Sequence, residues 1–130
     1  MSQENVEAVQ RLYDSQSRAE FLELFDPHVV WINYSSAFDT RPYVGRDGVL
    51  EWAKEFRDHF GDFRMEAKEL IDAGGDQVVV VSRFIGTGTK SGIPVEHEFG
   101  SLFTLLNGKI ARCQGFETRA EALKAAGLEE

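Results

Sequence analysis

The chain has 130 residues, 42% of them hydrophobic and 28% charged, with a net charge of −8. That is one domain's length (residues 1–130) and the composition of an ordinary soluble globular protein, which excludes a disordered chain. No apolar run approaches the roughly 18 residues of a membrane span, and 14 basic residues without a cluster exclude the basic stripe that nucleic-acid binding requires.

The opening "MSQENVEAVQ" has neither a basic n-region nor an apolar h-region, so no secretory signal is read. A lone Cys113 forms no internal disulfide and completes no zinc pattern. A cytoplasmic protein without metal or cofactor is expected.

"SQENVEAVQRLY" predicts an amphipathic helix capped by Ser2, with Val6, Val9 and Tyr13 on one side and Leu12 beside them. "AEFLELF" predicts a short second helix stopped by Asp26-Pro27, because Pro disfavours a helical residue before it. Val29, Val30, Trp31 and Ile32 predict a buried strand, interrupted by Asn33 before Tyr34. A buried amide left unpaired costs about 1–3 kcal/mol. Asn33 therefore either closes the strand as a turn residue or faces a pocket. "SSAFDTRPYVGRDG" predicts a loop, and Asp47 the cap of a third helix with Val49, Trp52, Ala53, Phe56 and Phe60 at helical spacing.

From Phe63 onward the period changes. "FRMEAKELIDA" alternates loosely, "GGD" turns it, and "QVVVVSRFIGTGT" is apolar on both faces, as in a central strand. "KSGI" predicts a turn, "PVEHEFGSLFTLL" the next strand, Asn107-Gly108 a tight hairpin, and "KIARCQGFE" the last strand. Thr118 to Glu121 is a capping box for the helix "RAEALKAA", closed by Gly127. Helices packed on a four-stranded antiparallel meander make an α+β fold.

Two-residue turns fix which side chains share a face. Asn107-Gly108 sets Leu102 against Cys113, Gly100 against Gly115, and Glu98 against Glu117. A two-residue turn at Ser91-Gly92 sets Arg83 against Gly100 and Ile85 against Glu98. One face then carries Val81, Arg83, Ile85, Glu98, Gly100, Leu102, Thr104, Cys113, Gly115 and Glu117. The other carries Ser82, Phe84, His97, Phe99, Ser101, Phe103, Arg112, Gln114 and Phe116. Both are too apolar to be freely solvated, so one covers the helices and the other is expected to meet a second subunit.

The segments "ENVEAVQRLYDS", "LELFDPHVVWINY", "YVGRDGVLEWAKEF", "IDAGGDQVVVVSRFIGTGTKSGIPV" and "FTLLNGKIARCQGFETRAEALKAAGL" run nearly end to end. In that order and spacing the chain resembles the SnoaL-like branch of the nuclear-transport-factor-2-like superfamily, which includes the ketosteroid isomerases. The linker "SQSRAE" between the first two helices is a few residues shorter than the pattern. The resemblance implies a cone: a curved, mainly antiparallel sheet wrapped around N-terminal helices, with an apolar cavity for a small apolar molecule. It also implies dimerisation through the outer sheet face. By that analogy Gly100 and Gly115 leave room for a ligand, and Phe84, Phe99, Phe103 and Phe116 form the dimer face.

The resemblance puts Asn33 where ketosteroid isomerases keep an aspartate base, and Gly115 where cyclases and epoxide hydrolases of this fold carry a carboxylate. An amide binds a ligand but takes no proton at neutral pH. The expected catalytic set is then Glu117 as base, with Arg83, Asn33 and Tyr13 polarising. Trp31, Trp52, Phe56, Val81, Ile85, Glu98, Gly100, Leu102, Cys113 and Gly115 are expected to line the ligand site. Each has a plainer reading. Arg83 makes a structural ion pair with Glu98 or Glu117, Tyr13 is a core tyrosine, Trp52 and Phe56 are core rings, and Cys113 is an inert buried thiol. Function stays between an isomerase, cyclase or hydrolase and a binding domain without chemistry.

Overall fold

The computed structural model describes residues 2–15, 17–33 and 41–128, so Tyr34 and the first part of the loop expected after it, 35–40, lie outside the described residues. Helix α1 (Ser2–Asp14) buries Val9 of the expected stripe, with Val6, Leu12 and Tyr13 partly buried and Ala8 buried beside them; Ser2 is its first residue, and the cap assigned to it lies outside the described side chains. Helix α2 (Arg18–Glu23) starts from Ser17, whose hydroxyl accepts from the Glu20 N–H at 3.2 Å. This helix ends earlier than the sequence suggested. Strand β1 (Phe25–Ile32) already begins at Phe25 and runs through Asp26-Pro27. Its register against the last strand shifts between Phe25 and Val30, and an irregularity of this kind tolerates a proline without an N–H.

Strand β2 (Tyr43–Val44) leads directly into α3 (Gly45–His59). The start of α3 differs from the expected one. The cap residue is Val44, without a side-chain bond, and Asp47 sits inside the first turn, where its charge still complements the helix dipole. Then come β3 (Arg64–Gly74), β4 (Gln77–Thr87), β5 (Pro94–Leu106), β6 (Lys109–Phe116) and α4 (Arg119–Ala125). The expected meander β3–β6 is present, and β1 extends it. The six strands lie in the order β2-β1-β6-β5-β4-β3, antiparallel except for the parallel β1–β6 pair.

Two of the hairpins decide the site. Asn107 (φ 51°) and Gly108 (φ 79°) make the expected two-residue turn, with Leu106 opposite Lys109. Beyond Leu105–Ile110 the register slips: Thr104 pairs with Arg112, Phe103 with Cys113, and Ser101 with Gly115. Ala111 is the extra residue of a β-bulge. A slip of one residue turns every later side chain of β6 to the opposite face relative to β5. Cys113 and Gly115 therefore share a face with Ser101 and Phe103, not with Leu102 and Gly100. The β4–β5 connection is longer than two residues, so Arg83 opposes Glu98 and Ile85 opposes Glu96. That shift is of two residues and leaves the faces of these two strands as expected.

Helices α1, α2 and α3 pack on the face carrying Val78, Val80, Ser82 and Phe84. The main core gathers Val9, Phe25, Val29, Trp31, Val49, Phe103 and Ile110. On the other face α4 lies over Val79 and Leu102 through Ala122 and Leu123. Its cap is the predicted one, with Thr118 Oγ1 accepting from the Glu121 N–H at 3.1 Å.

Candidate functional site

Between the inner face of the sheet and helices α1, α2 and α3 lies a cleft of about 1320 Å³. Its aromatic wall follows from helical spacing. Trp52 and Phe56, four residues apart on α3, stack along one side of it, and Phe60, the residue that caps the helix, continues the row. Ring centroids lie 5.3 Å apart for Trp52–Phe56 and 5.2 Å for Phe56–Phe60. From the sheet side Trp31 meets Trp52 at 4.6 Å and Phe84 meets Phe56 edge-on at 5.2 Å. Phe99, Phe103, Cys113 and Gly115 continue the floor.

Few polar groups reach this floor. Tyr13 Oη, from the last turn of α1, lies 2.7 Å from Ser82 Oγ on β4. Burial pushes the Tyr13 phenol above its ordinary pKa; the hydrogen bond with Ser82 opposes that shift and the nearby Cys113 adds to it. Burial likewise pushes the Cys113 thiol up, against a smaller opposing effect of Arg112. Trp52 Nε1 donates to Asn33 Oδ1 at 2.7 Å, which fixes the amide with its oxygen toward the indole. Ser101 lines the cleft at 5% exposure, and among the described residues its hydroxyl has no hydrogen-bond partner. Charges sit at the mouth, on the exposed Arg18, Asp47, Glu51, Lys54 and Arg57.

Of the expected site residues, the cleft brings together Tyr13, Trp31, Asn33, Trp52, Phe56, Cys113 and Gly115. Val81, Arg83, Ile85, Glu98, Gly100 and Leu102 lie on the opposite face of the sheet. Arg83 is ion-paired there with Glu96 rather than with Glu98 or Glu117, and both partners are half-exposed. Glu117 is exposed beyond the end of β6 and is not part of the lining. Gly100 makes room for a helix instead of a ligand. A Cβ there would stand 2.6 Å from Ala122 Cβ and 3.0 Å from the Thr118 carbonyl oxygen.

The face assigned to a dimer is the cavity side. Phe84, Phe99 and Phe103 are buried within the chain, and Phe116 packs toward α4. None of these four rings is exposed. The alternation rule thus missed Ser101, Phe84, Phe99 and Phe103 as lining residues. One signal was present: Ile110 and Cys113 are apolar at a spacing of three with Arg112 between them, which a strand of period two does not produce.

The comparisons with known proteins agree with this architecture. No curated protein matches the sequence significantly. Among solved structures, a candidate SnoaL-like polyketide cyclase from Jannaschia sp. CCS1 is 24% identical, with a TM-score of 0.77 over 96% of this chain and 92% of that one. TerC, co-crystallised with polyporic acid, is 21% identical, with a TM-score of 0.78 over 95% and 98%. A protein with a ketosteroid isomerase-like fold from Catenulispora acidiphila, in complex with trimethylamine, is 15% identical, with a TM-score of 0.72 over 98% and 95%. At these identities the likeness establishes the fold, and the sequence itself carries the membership: residues 6–113 match the SnoaL-like domain profile. With its curved sheet closed over N-terminal helices, this chain belongs to the SnoaL-like domain family.

Proposed function

We propose that the cleft binds a small, largely apolar ring compound bearing an oxygen that accepts hydrogen bonds, and that Tyr13 and Ser101 are the donors to that oxygen. The observation that carries this reading is the contrast within one cavity: an aromatic wall, and the hydroxyl of Ser101, which opens onto it and among the described residues has no hydrogen-bond partner. Binding sites for small molecules combine such apolar lining with a few placed polar groups. The relatives that hold polyporic acid and trimethylamine in their structures support a small-molecule role in general terms.

Binding or polarisation fits better than catalysis by a carboxylate base. Among the described residues the carboxylates of the lining are Asp47 and Glu51, both on the first turns of α3 and away from the floor. Asn33, with its oxygen engaged by Trp52, orients the ligand in this reading but removes no proton.

The test uses acetylnaphthalene, followed by quenching of the wall residues Trp31 and Trp52. Micromolar binding is expected for the native protein, falling at least about tenfold in Gly115→Leu, whose side chain would fill the floor beside Ser101. Retained binding in that variant, with its thermal stability intact, would place the ligand elsewhere and overturn the proposal.

A further inference from the structure

We infer that Ser82 is a positioning residue: it donates its hydroxyl proton to Tyr13 Oη and thereby turns the phenol proton toward the cavity. This rests on the ligand reading above only for what the proton then meets. The geometry alone leaves the 2.7 Å contact ambiguous, since either oxygen can be the donor. The surroundings resolve it. Ser82 has 0% exposure, and its neighbours across the sheet on the same face are Ala67 and Phe99, which offer no side-chain acceptor. Among the described residues its one hydrogen-bond partner is Tyr13.

A buried hydroxyl proton without an acceptor is costly. If Tyr13 donated to Ser82, the serine proton would be stranded inside the sheet. If Ser82 donates, the proton left over belongs to Tyr13, which lines the cleft and meets whatever fills it. The second arrangement leaves nothing buried and unpaired. Burial also holds the phenol in its protonated form, so the donor persists through neutral pH.

A consequence for selectivity follows. A serine on β4, paired on both sides, makes Tyr13 an obligate donor, so the deep end of the cavity favours ligand oxygens that accept, such as ketones, over hydrocarbons of the same shape. Replacing Ser82 leaves the phenol free to rotate without removing it.

Two measurements test this separately. Neutron diffraction from deuterium-exchanged protein without ligand is expected to show the deuteron of Ser82 Oγ directed at Tyr13 Oη; a deuteron on Tyr13 Oη directed at Ser82 would overturn the inference whatever the protein binds. The second compares acetylnaphthalene with ethylnaphthalene matched at the same ring position. Ser82→Ala is expected to weaken the ketone about 5- to 20-fold, as loss of one oriented hydrogen bond would, and to move its bound carbonyl stretch back toward the free value. Ethylnaphthalene affinity should change less than about twofold, and Ser82→Ala should have no further effect on a Tyr13→Phe background. An equal loss for both probes would make Ser82 merely structural. Failure of both probes to bind native protein would instead refute the ligand reading, with the neutron map still deciding the direction of the bond.

Discussion

Asn33 sits one residue beyond β1 with its side-chain oxygen held by the Trp52 indole at 2.7 Å. An acid at this position would keep that bond, because a carboxylate accepts from the indole as the amide does. Two opposing influences would set its pKa: the aromatic surroundings raise it and the Trp52 N–H lowers it. The native protein is expected to show no isomerisation of a β,γ-unsaturated steroid ketone, whereas Asn33→Asp gains a slow, measurable rate. A positioned base contributes about 10²–10⁴-fold, and the absorbance of the conjugated product reads it directly. Equal turnover in both proteins would mean that another group is the base. Cys113 gives a second check at this scale. Its thiol is buried and its pKa is raised, so a water-soluble disulfide reagent should label the native protein at least about 100-fold more slowly than the unfolded chain.

The position of α4 depends on Gly100. A methyl group there would overlap Ala122, so Gly100→Ala should cost about 1–3 kcal/mol by overpacking, seen as a lower urea midpoint. Adding Ala122→Gly should recover part of that loss, and a strictly additive double mutant would show that the two sites do not touch. The bulge admits a sharper test. Deleting Ala111 restores strict pairing between β5 and β6 and turns Cys113 and Gly115 toward the α4 face. Loss of the cooperative unfolding transition is expected, because Trp31 and Phe103 would lose the floor between them. The same residue explains what the sequence could and could not convey. The last helix, the tight hairpin turn and the order of the β3–β6 meander were legible from Thr118–Glu121, Asn107-Gly108 and the valine run of β4, since each is a local preference. Which face held the cavity was not, because it turns on one unpaired alanine whose effect is transmitted along the whole of β6. Tyr13, Trp31, Asn33 and Trp52 were legible because α1, β1 and α3 do not depend on that slip. The partner of Arg83 was not, because the true β4–β5 connection brings Glu96, two residues away from the expected register, within reach.

Taken as one cooperative unit, the protein should lose stability in alkali before most of its surface titrates. Tyr13 and Cys113 stay protonated in the folded chain beyond their ordinary range, whereas in the unfolded chain they release protons near their reference values of about 10 and 8.5. The unfolded state then binds fewer protons, so stability is whole below about pH 8 and falls as the pH rises above it. Urea midpoints at neutral and alkaline pH are expected to differ more for the native protein than for Cys113→Ala or Tyr13→Phe. An equal slope in all three would deny these groups that role. The parallel pairing of β1 with β6 has a different kind of consequence, in time rather than in energy. Phe25 finds its strand partner at Ile110, so during synthesis the N-terminal quarter of the molecule emerges long before the segment that completes its sheet. Closing so long a loop is entropically unfavourable until the later contacts exist. A nascent chain stalled before Lys109 should therefore expose Trp31 and the edge of β1 to proteases and chaperones, and become resistant only once the last strand has cleared the ribosome.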